Sequence, residues 1–418
     1  METLTLDAIE LVDPDLYAKR GYPHDAWTLL RREAPVYRYE RANVEPFWVI
    51  TRHAEIVEIS RQPELFRNGQ MLFLALKSEP IPEQPLLSQI LNMNPPEHGE
   101  YRGVASSCFT PRVLRERLAA RIEELTTEVI DQIADREECD FVTEVAAKLP
   151  VAVIAEMFGI PRSDWDLMFH LSNAIVGAGD SEYNRGRSMQ ESMQQARMEF
   201  FQYFTKLIEQ RRKNPQDDVA SALANAQVQG GPMPPFEQLS YFALLIIAGN
   251  ETTRNAISGG LHAFVNHPDQ WMRLKYDPSL ALSAAEEVLR WTSPIIHFVR
   301  TATAETELRG HKIRAGDTVA MFYPSANRDD TVFEDPFKFD IGRRPNRHLA
   351  FGIGEHYCLG ANLARLELQA MFRQLAQRLE SLEITGPVGR LRANFVGGIK
   401  HMPVRYRMSA AKKMHAAE

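Results

Sequence analysis

A mainly α-helical fold with small β-sheets is predicted by three features of the sequence. Apolar residues recur at three- and four-residue steps from about Arg112 to Ile208, an apolar-rich helical run spans about Pro235 to His267, and strand-like alternation is confined to short stretches near both ends.

Near the start, Pro35 to Tyr39 and Phe47 to Thr51 cluster aromatic and β-branched residues between proline and charged breakers, which predicts two short strands. The segment LRERLAARIEELTTEVIDQI then shows helical spacing of leucines and isoleucines. Pro234 and Pro235 open the long helix, whose Leu-, Ile- and Ala-rich centre is expected to be buried on all sides. LRGHKIRAGDTVAMFY reads as a hairpin turning at Ala315-Gly316-Asp317, and LEITGPVGRLRANFVGGIKHMPVRY as further strands. No repeat, low-complexity tract or Gly/Ser linker marks a boundary, so one continuous domain over residues 1–418 is expected.

A formal net charge of −7 over 418 residues disfavours a nucleic-acid binder. The first residues carry acids where a signal peptide needs bases, and no stretch of roughly 18 apolar residues occurs, so a cytoplasmic protein without a membrane span is expected. The three cysteines, Cys108, Cys139 and Cys358, are widely separated and odd in number, which fits a reducing compartment.

The segment HLAFGIGEHYCLGANLARLELQAMFRQL carries the chemistry. A glycine-spaced loop ends in Cys358 and leads into an amphipathic helix, whose unsatisfied N–H groups and dipole favour a thiolate. Gly354 and Gly360 permit close approach of backbone to a flat macrocycle, and Phe351 packs beside the sulfur. Three other readings stand beside this one: a small buried apolar cysteine, a zinc ligand without the usual spaced partners, or a nucleophile with His356 as base.

With Phe351, Gly354, Cys358 and Gly360 in the pattern Phe-x-x-Gly-x-x-x-Cys-x-Gly, the sequence resembles the cytochrome P-450 family. The resemblance implies that fold, with haem b between the long central helix and the cysteine loop, and Cys358 as the iron ligand. Thiolate ligation favours cleavage of a bound O–O bond. In the long helix, Ala248-Gly249-Asn250-Glu251-Thr252-Thr253 matches the family's acid-alcohol motif. There Thr252 could bond the carbonyl of Ala248, four residues back, and open a gap. The resemblance implies a catalytic role for Thr252 on the oxygen side and proton delivery by Glu251, with Ala248 and Gly249 against the cofactor.

It further implies that His98, Arg102, Arg300 and His356 anchor the haem propionates, which need cationic or N–H partners. Glu287 and Arg290, three apart on one helix face, with Arg343, match the family's structural charge network. The pocket-bordering segments are apolar: Met71 to Lys77, Leu244, Leu245, Ala248, Ile295, Ile296, Phe298, Phe395 and Val396, which suits a lipophilic substrate such as a steroid, terpenoid or fatty acid.

The chain shows neither a GxGxxG in a βαβ setting nor a cysteine cluster for iron–sulfur. A separate electron donor would therefore be needed; the resemblance implies NAD(P)H acting through a separate ferredoxin and ferredoxin reductase, with Arg112, Arg115, Arg344, Arg347 and Arg365 as a candidate docking patch. The resemblance covers about Asn94 to the C-terminus. Two alternatives to an O2-dependent monooxygenase, a peroxide-driven peroxygenase and a non-catalytic haem sensor, would leave Glu251 and Thr252 without a purpose.

Overall fold

The computed structural model describes residues 4–69, 71–78, 90–176, 182 and 188–409. The expected mixture of many helices and small sheets is found. The N-terminal strands Val36–Tyr39 and Phe47–Ile50 pair antiparallel, with Val36 opposite Ile50 and Tyr39 opposite Phe47. They form one side of a five-stranded sheet completed by Thr318–Phe322, His297–Ala302 and Phe66–Arg67, in that order. Alternate side chains go to opposite faces, as the pleat requires. Phe47, Val49, Ala320 and Phe322 join a core with Trp27, while Val36, Ile50, Val319 and Met321 join another with Ile56.

The hairpin is one turn earlier than expected. His311–Ile313 pairs with Thr306–Leu308 through Arg309 and Gly310, both at positive φ, whereas Thr318–Phe322 leaves for the large sheet. Two successive positive-φ residues suit a two-residue hairpin turn. At Gly316-Asp317 the chain instead turns a corner: the Asp317 carboxylate accepts from the Arg314 N–H and the Trp48 Nε1–H, both at 2.9 Å. Among the described residues from Arg112 to Ile208 helices dominate, with one strand at Glu138–Asp140, which pairs with the distant Pro403–Met408.

The long helix runs Pro235–Asn266, with Pro235 in its first turn. It crosses the helices Ala281–Thr292 and Ala361–Arg378 in the main core. The crossing is close because Gly260 has no side chain: a Cβ there would stand 2.4 Å from Phe372 Cζ and 2.8 Å from Val288 Cγ1. These three helices carry Glu251, Thr252, Glu287 and Arg290, and the third follows directly on the loop of Cys358. Among the described residues no helix is long and apolar enough to cross a membrane.

Candidate active site

The loop before the helix Ala361–Arg378 is folded by glycine. Gly352 and Gly354 have φ of 68° and 78°, and a Cβ on Gly354 would lie 2.3 Å from the Ser60 carbonyl oxygen. Gly354 is thus demanded by the chain's own backbone at Ser60. A Cβ on Gly360 would meet nothing within 4 Å. The Cys358 N–H donates to the Phe351 carbonyl at 2.9 Å, and the Phe351 ring is covered by the Arg365 guanidinium, 4.6 Å from its centroid.

Cys358 keeps exposed surface, yet protein crowds it, and loss of water raises its pKa above the ordinary thiol value. The Gly360 N–H and the charges of Arg102 and Arg365 act in the opposite direction without prevailing. The helix-end N–H thus acts in the expected direction, toward the thiolate, against the loss of water. Ligation to a metal ion removes a thiol proton outright.

Around the loop, the four sequence-singled cationic groups come together. His98 and His356 rings lie 4.2 Å apart, and Arg102 Nη2 donates to the Tyr357 carbonyl at 2.6 Å. Burial, then the charges of Arg300, His98 and Arg102, drive the His356 pKa down to about 3. Its Nε2 is 2.9 Å from Asn68 Nδ2, a partner that sequence reasoning missed because asparagine carries no signal of its own. Arg300 is buried and reaches only the neighbouring Val299 carbonyl among the described residues, and buried His98 Nε2 finds no partner there. Such a cluster, without a carboxylate among the groups that act on His356, is suited to an anionic ligand.

On the central helix, Thr252 Oγ1 donates to the Ala248 carbonyl at 2.7 Å, as its position predicts. The helix centre is not sealed on all sides: Ala248 is exposed and Ile247, Gly249 and Thr252 are partly so. A Cβ on Gly249 would meet Ile154 Cδ1 at 3.2 Å, which places this glycine against the helix Lys148–Met157. Glu251, only 2% exposed, is paired with Arg254, and Asn255 Nδ2 donates to the same Oε1 at 3.3 Å. Its Oε2 has no hydrogen-bond partner among the described residues.

Comparison with known proteins agrees with this arrangement. A family model described as Cytochrome P450 matches residues 280–391. The steroid C26-monooxygenase of Rhodococcus jostii is 36% identical over 417 residues, covering 97% of this chain and 86% of that protein. The chain belongs to the cytochrome P-450 family. The linalool 8-monooxygenase of Pseudomonas putida is 36% identical, with 94% and 98% of the two chains covered. A Mycobacterium marinum cytochrome P450 solved in complex with pseudoionone superposes with a TM-score of 0.88 at 35% identity, covering 97% of this chain and 100% of that one.

As a cytochrome P-450 monooxygenase, the chain takes haem b, draws reducing equivalents from NAD(P)H through redox partners, and acts with O2 on a lipophilic substrate. Its residues fit the haem: Cys358 keeps exposed surface, and beside it Arg102, buried Arg300 and the unpartnered nitrogen of buried His98 can answer two carboxylates.

The expected apolar wall of this cytochrome P-450 is partly assembled. Ile295 forms a bridge with Val396, the Ile296 N–H donates to the Phe395 carbonyl at 2.8 Å, and the Phe298 and Phe395 rings are 5.3 Å apart. Leu244 and Leu245 belong to the main core near the exposed Ala248. Ile296 is a correction: it has no exposed surface and lies in the core that contains Trp27, because its side chain faces the opposite side of the chain from Ile295.

Glu287, Arg290 and Arg343 form the expected network. Arg290 holds both Glu287 oxygens at 2.8 Å, and Arg343 Nε lies 3.3 Å from Oε2. Asn346 Nδ2 and the Asp340 N–H also donate to Glu287, while Arg290 donates to the carbonyls of Asn327, Pro336 and Lys338.

Beside it, unannounced in sequence, Glu286 takes Arg365 Nε at 2.6 Å and lies 3.1 Å from His348 Nε2. Burial opposes its charge, but these partners outweigh it and hold the carboxyl at about 2. Arg365 is therefore committed to the loop, and Arg112 is paired with Glu116. Of the candidate docking patch, exposed Arg115, Arg344 and Arg347 carry no ion pair among the described residues.

Proposed function

We propose that this enzyme inserts one oxygen atom from O2 into a steroid-, terpenoid- or fatty-acid-like molecule, in the cytoplasm, as one domain served by a separate ferredoxin and ferredoxin reductase. The observation that carries the substrate class is the wall of Ile295, Phe298, Phe395 and Val396, which offers contact area with few polar groups to orient a ligand. The relatives named for a steroid and for linalool support the same class.

Cys358 is the iron ligand in this reading, with His98, Arg102, Arg300 and His356 holding the propionates. Haem, when bound, supplies the oxygen-activating chemistry. The chain's own part is to place the substrate and deliver protons. Glu251 keeps one carboxylate oxygen on Arg254 and Asn255, which leaves Oε2 to exchange a proton. Thr252, the next residue, would give up its bond to the Ala248 carbonyl to donate its hydroxyl proton toward the exposed face, and take a replacement proton that Glu251 relays through solvent. Arg115, Arg344 and Arg347 attract an acidic electron donor.

The test compares product formed with NADH plus a reconstituted ferredoxin system against hydrogen peroxide alone, over a panel of lipophiles. The reading expects coupled turnover with the ferredoxin system that collapses in Thr252→Ala. Peroxide-driven turnover that is faster and indifferent to Thr252→Ala would overturn it in favour of a peroxygenase.

A further inference from the structure

We propose that His297 is a positioning residue that clamps the Leu72–Leu74 strap, and with it the Phe73 ring, and so sets which lipophiles the site admits. The inference rests on the reading of the apolar wall as the substrate side.

The strap lies in a segment with no helix or ladder of its own, so its backbone groups must be satisfied from elsewhere. The Leu74 N–H donates to His297 Nε2 at 2.9 Å, and the Leu74 carbonyl accepts from Asn394 Nδ2 at 3.2 Å. Two residues earlier, the Leu72 carbonyl accepts from the Val299 N–H at 3.0 Å. Both polar backbone groups of one buried residue thus depend on single side chains from remote parts of the chain. Between these pins stands Phe73, 40% exposed, stacked on Phe395 with centroids 4.9 Å apart. Phe395 in turn meets Phe298 and the His297 ring itself.

Packing alone does not explain the imidazole. His297 is fully buried; its Nδ1 meets no other side chain in hydrogen-bond geometry, and the Asn394 backbone beside the ring favours an N–H there. A leucine would occupy similar space but could neither accept from the Leu74 N–H nor meet the Asn394 backbone, so the polar ring is accounted for by tying these two segments together. Burial drives the His297 pKa down to about 3, which keeps the ring neutral and Nε2 an acceptor at ordinary pH.

The experiment uses the holoenzyme as wild type, His297→Leu, His297→Gln and Asn394→Ala. Two quantities are read: backbone hydrogen exchange over Leu72–Leu74, and the Kd values of imidazole and of bulky clotrimazole from the Soret shift. In His297→Leu, exchange is expected to accelerate about tenfold or more. The clotrimazole-to-imidazole Kd ratio is expected to change about fivefold, with imidazole alone nearly unmoved. Glutamine, whose carbonyl oxygen can accept from Leu74, restores both toward wild type, and Asn394→Ala moves both in the direction of leucine.

Unchanged exchange and an unchanged ratio in His297→Leu, with a normal reduced carbon monoxide band, overturn the clamp. Faster exchange with an unchanged ratio overturns the claim on selectivity. If the leucine variant does not fold, glutamine against Asn394→Ala decides by the same two readouts. A wild type without that band indicts the haem-thiolate reading instead, and the exchange data still judge the clamp.

Discussion

Two buried Glu–Arg pairs of identical spacing, Glu287–Arg290 and Glu251–Arg254, differ in how completely their charges are answered. Around Glu287 both carboxylate oxygens have partners, and Arg290 spends its remaining N–H groups on three backbone carbonyls. Around Glu251 the support gathers on Oε1, and Oε2 is without a partner among the described residues. A saturated network locks segments together, while an unsaturated carboxylate oxygen in a buried place retains capacity to take and give a proton. The difference separates a pair built to stay from one able to act, although the two are indistinguishable by spacing.

The largest effect tests the locked pair. Removing the charge in Glu287→Gln leaves Arg290 and Arg343 buried without their counter-ion, which costs about 3–5 kcal/mol. Thermal unfolding should show that loss, and haem content should fall with it. If Glu287→Gln unfolds like wild type and keeps its haem, the lock is not structural.

In the other pair the same substitution should separate stability from rate. Glu251→Gln is expected to lower coupled turnover by about a hundredfold, with a raised solvent isotope effect, because a positioned proton donor contributes on this order. Unfolding should shift far less than for Glu287→Gln, since Glu251 has fewer partners to lose. A variant with normal turnover and strongly reduced stability would invert the comparison and make Glu251 another structural acid.

The sequence made one half of this contrast legible and hid the other. Glu-x-x-Arg near the cysteine loop and Glu251-Thr252 in the long helix were readable because each carries a pattern. So were the four cationic groups, once the cysteine loop gave them a shared context. What could not be read was occupancy: that Asn68 stands beside His356, that Glu286 holds Arg365 and His348, or that Leu74 hangs from His297. These contacts join segments far apart in the chain through residues with no periodicity or motif. The same blindness displaced the hairpin to Arg309-Gly310, since choosing between two plausible turns depended on which sheet the next strand would join.

Acid stability offers a third, smaller measure of commitment. His297 has a folded pKa of about 3 against about 6.5 when unfolded. Between those values the unfolded chain binds a proton that the folded ring refuses, so stability falls as pH is lowered through this window. The slope from one such group is at most about 1.4 kcal/mol per pH unit. Urea unfolding of His297→Leu between pH 4 and 6 should show a shallower decline by up to this amount, and an unchanged slope would mean that the ring is protonated in the folded state.

The smallest effect separates committed from uncommitted arginines at the cysteine loop. Arg365 answers Glu286 and covers Phe351, whereas Arg344 and Arg347 are exposed without an ion pair among the described residues. Replacing either exposed arginine by alanine should leave unfolding within about 0.5 kcal/mol of wild type, as for ordinary surface changes. If these side chains steer an acidic donor, each variant should slow donor association about two- to fivefold at low salt and lose most of that deficit as salt screens the attraction. Arg365→Ala should behave in the opposite manner, with a stability loss that salt does not remove, because its partner is partly buried and its ring contact is not electrostatic alone. Equal salt-dependent effects from all three would show that burial beside Glu286 does not withdraw Arg365 from the docking surface.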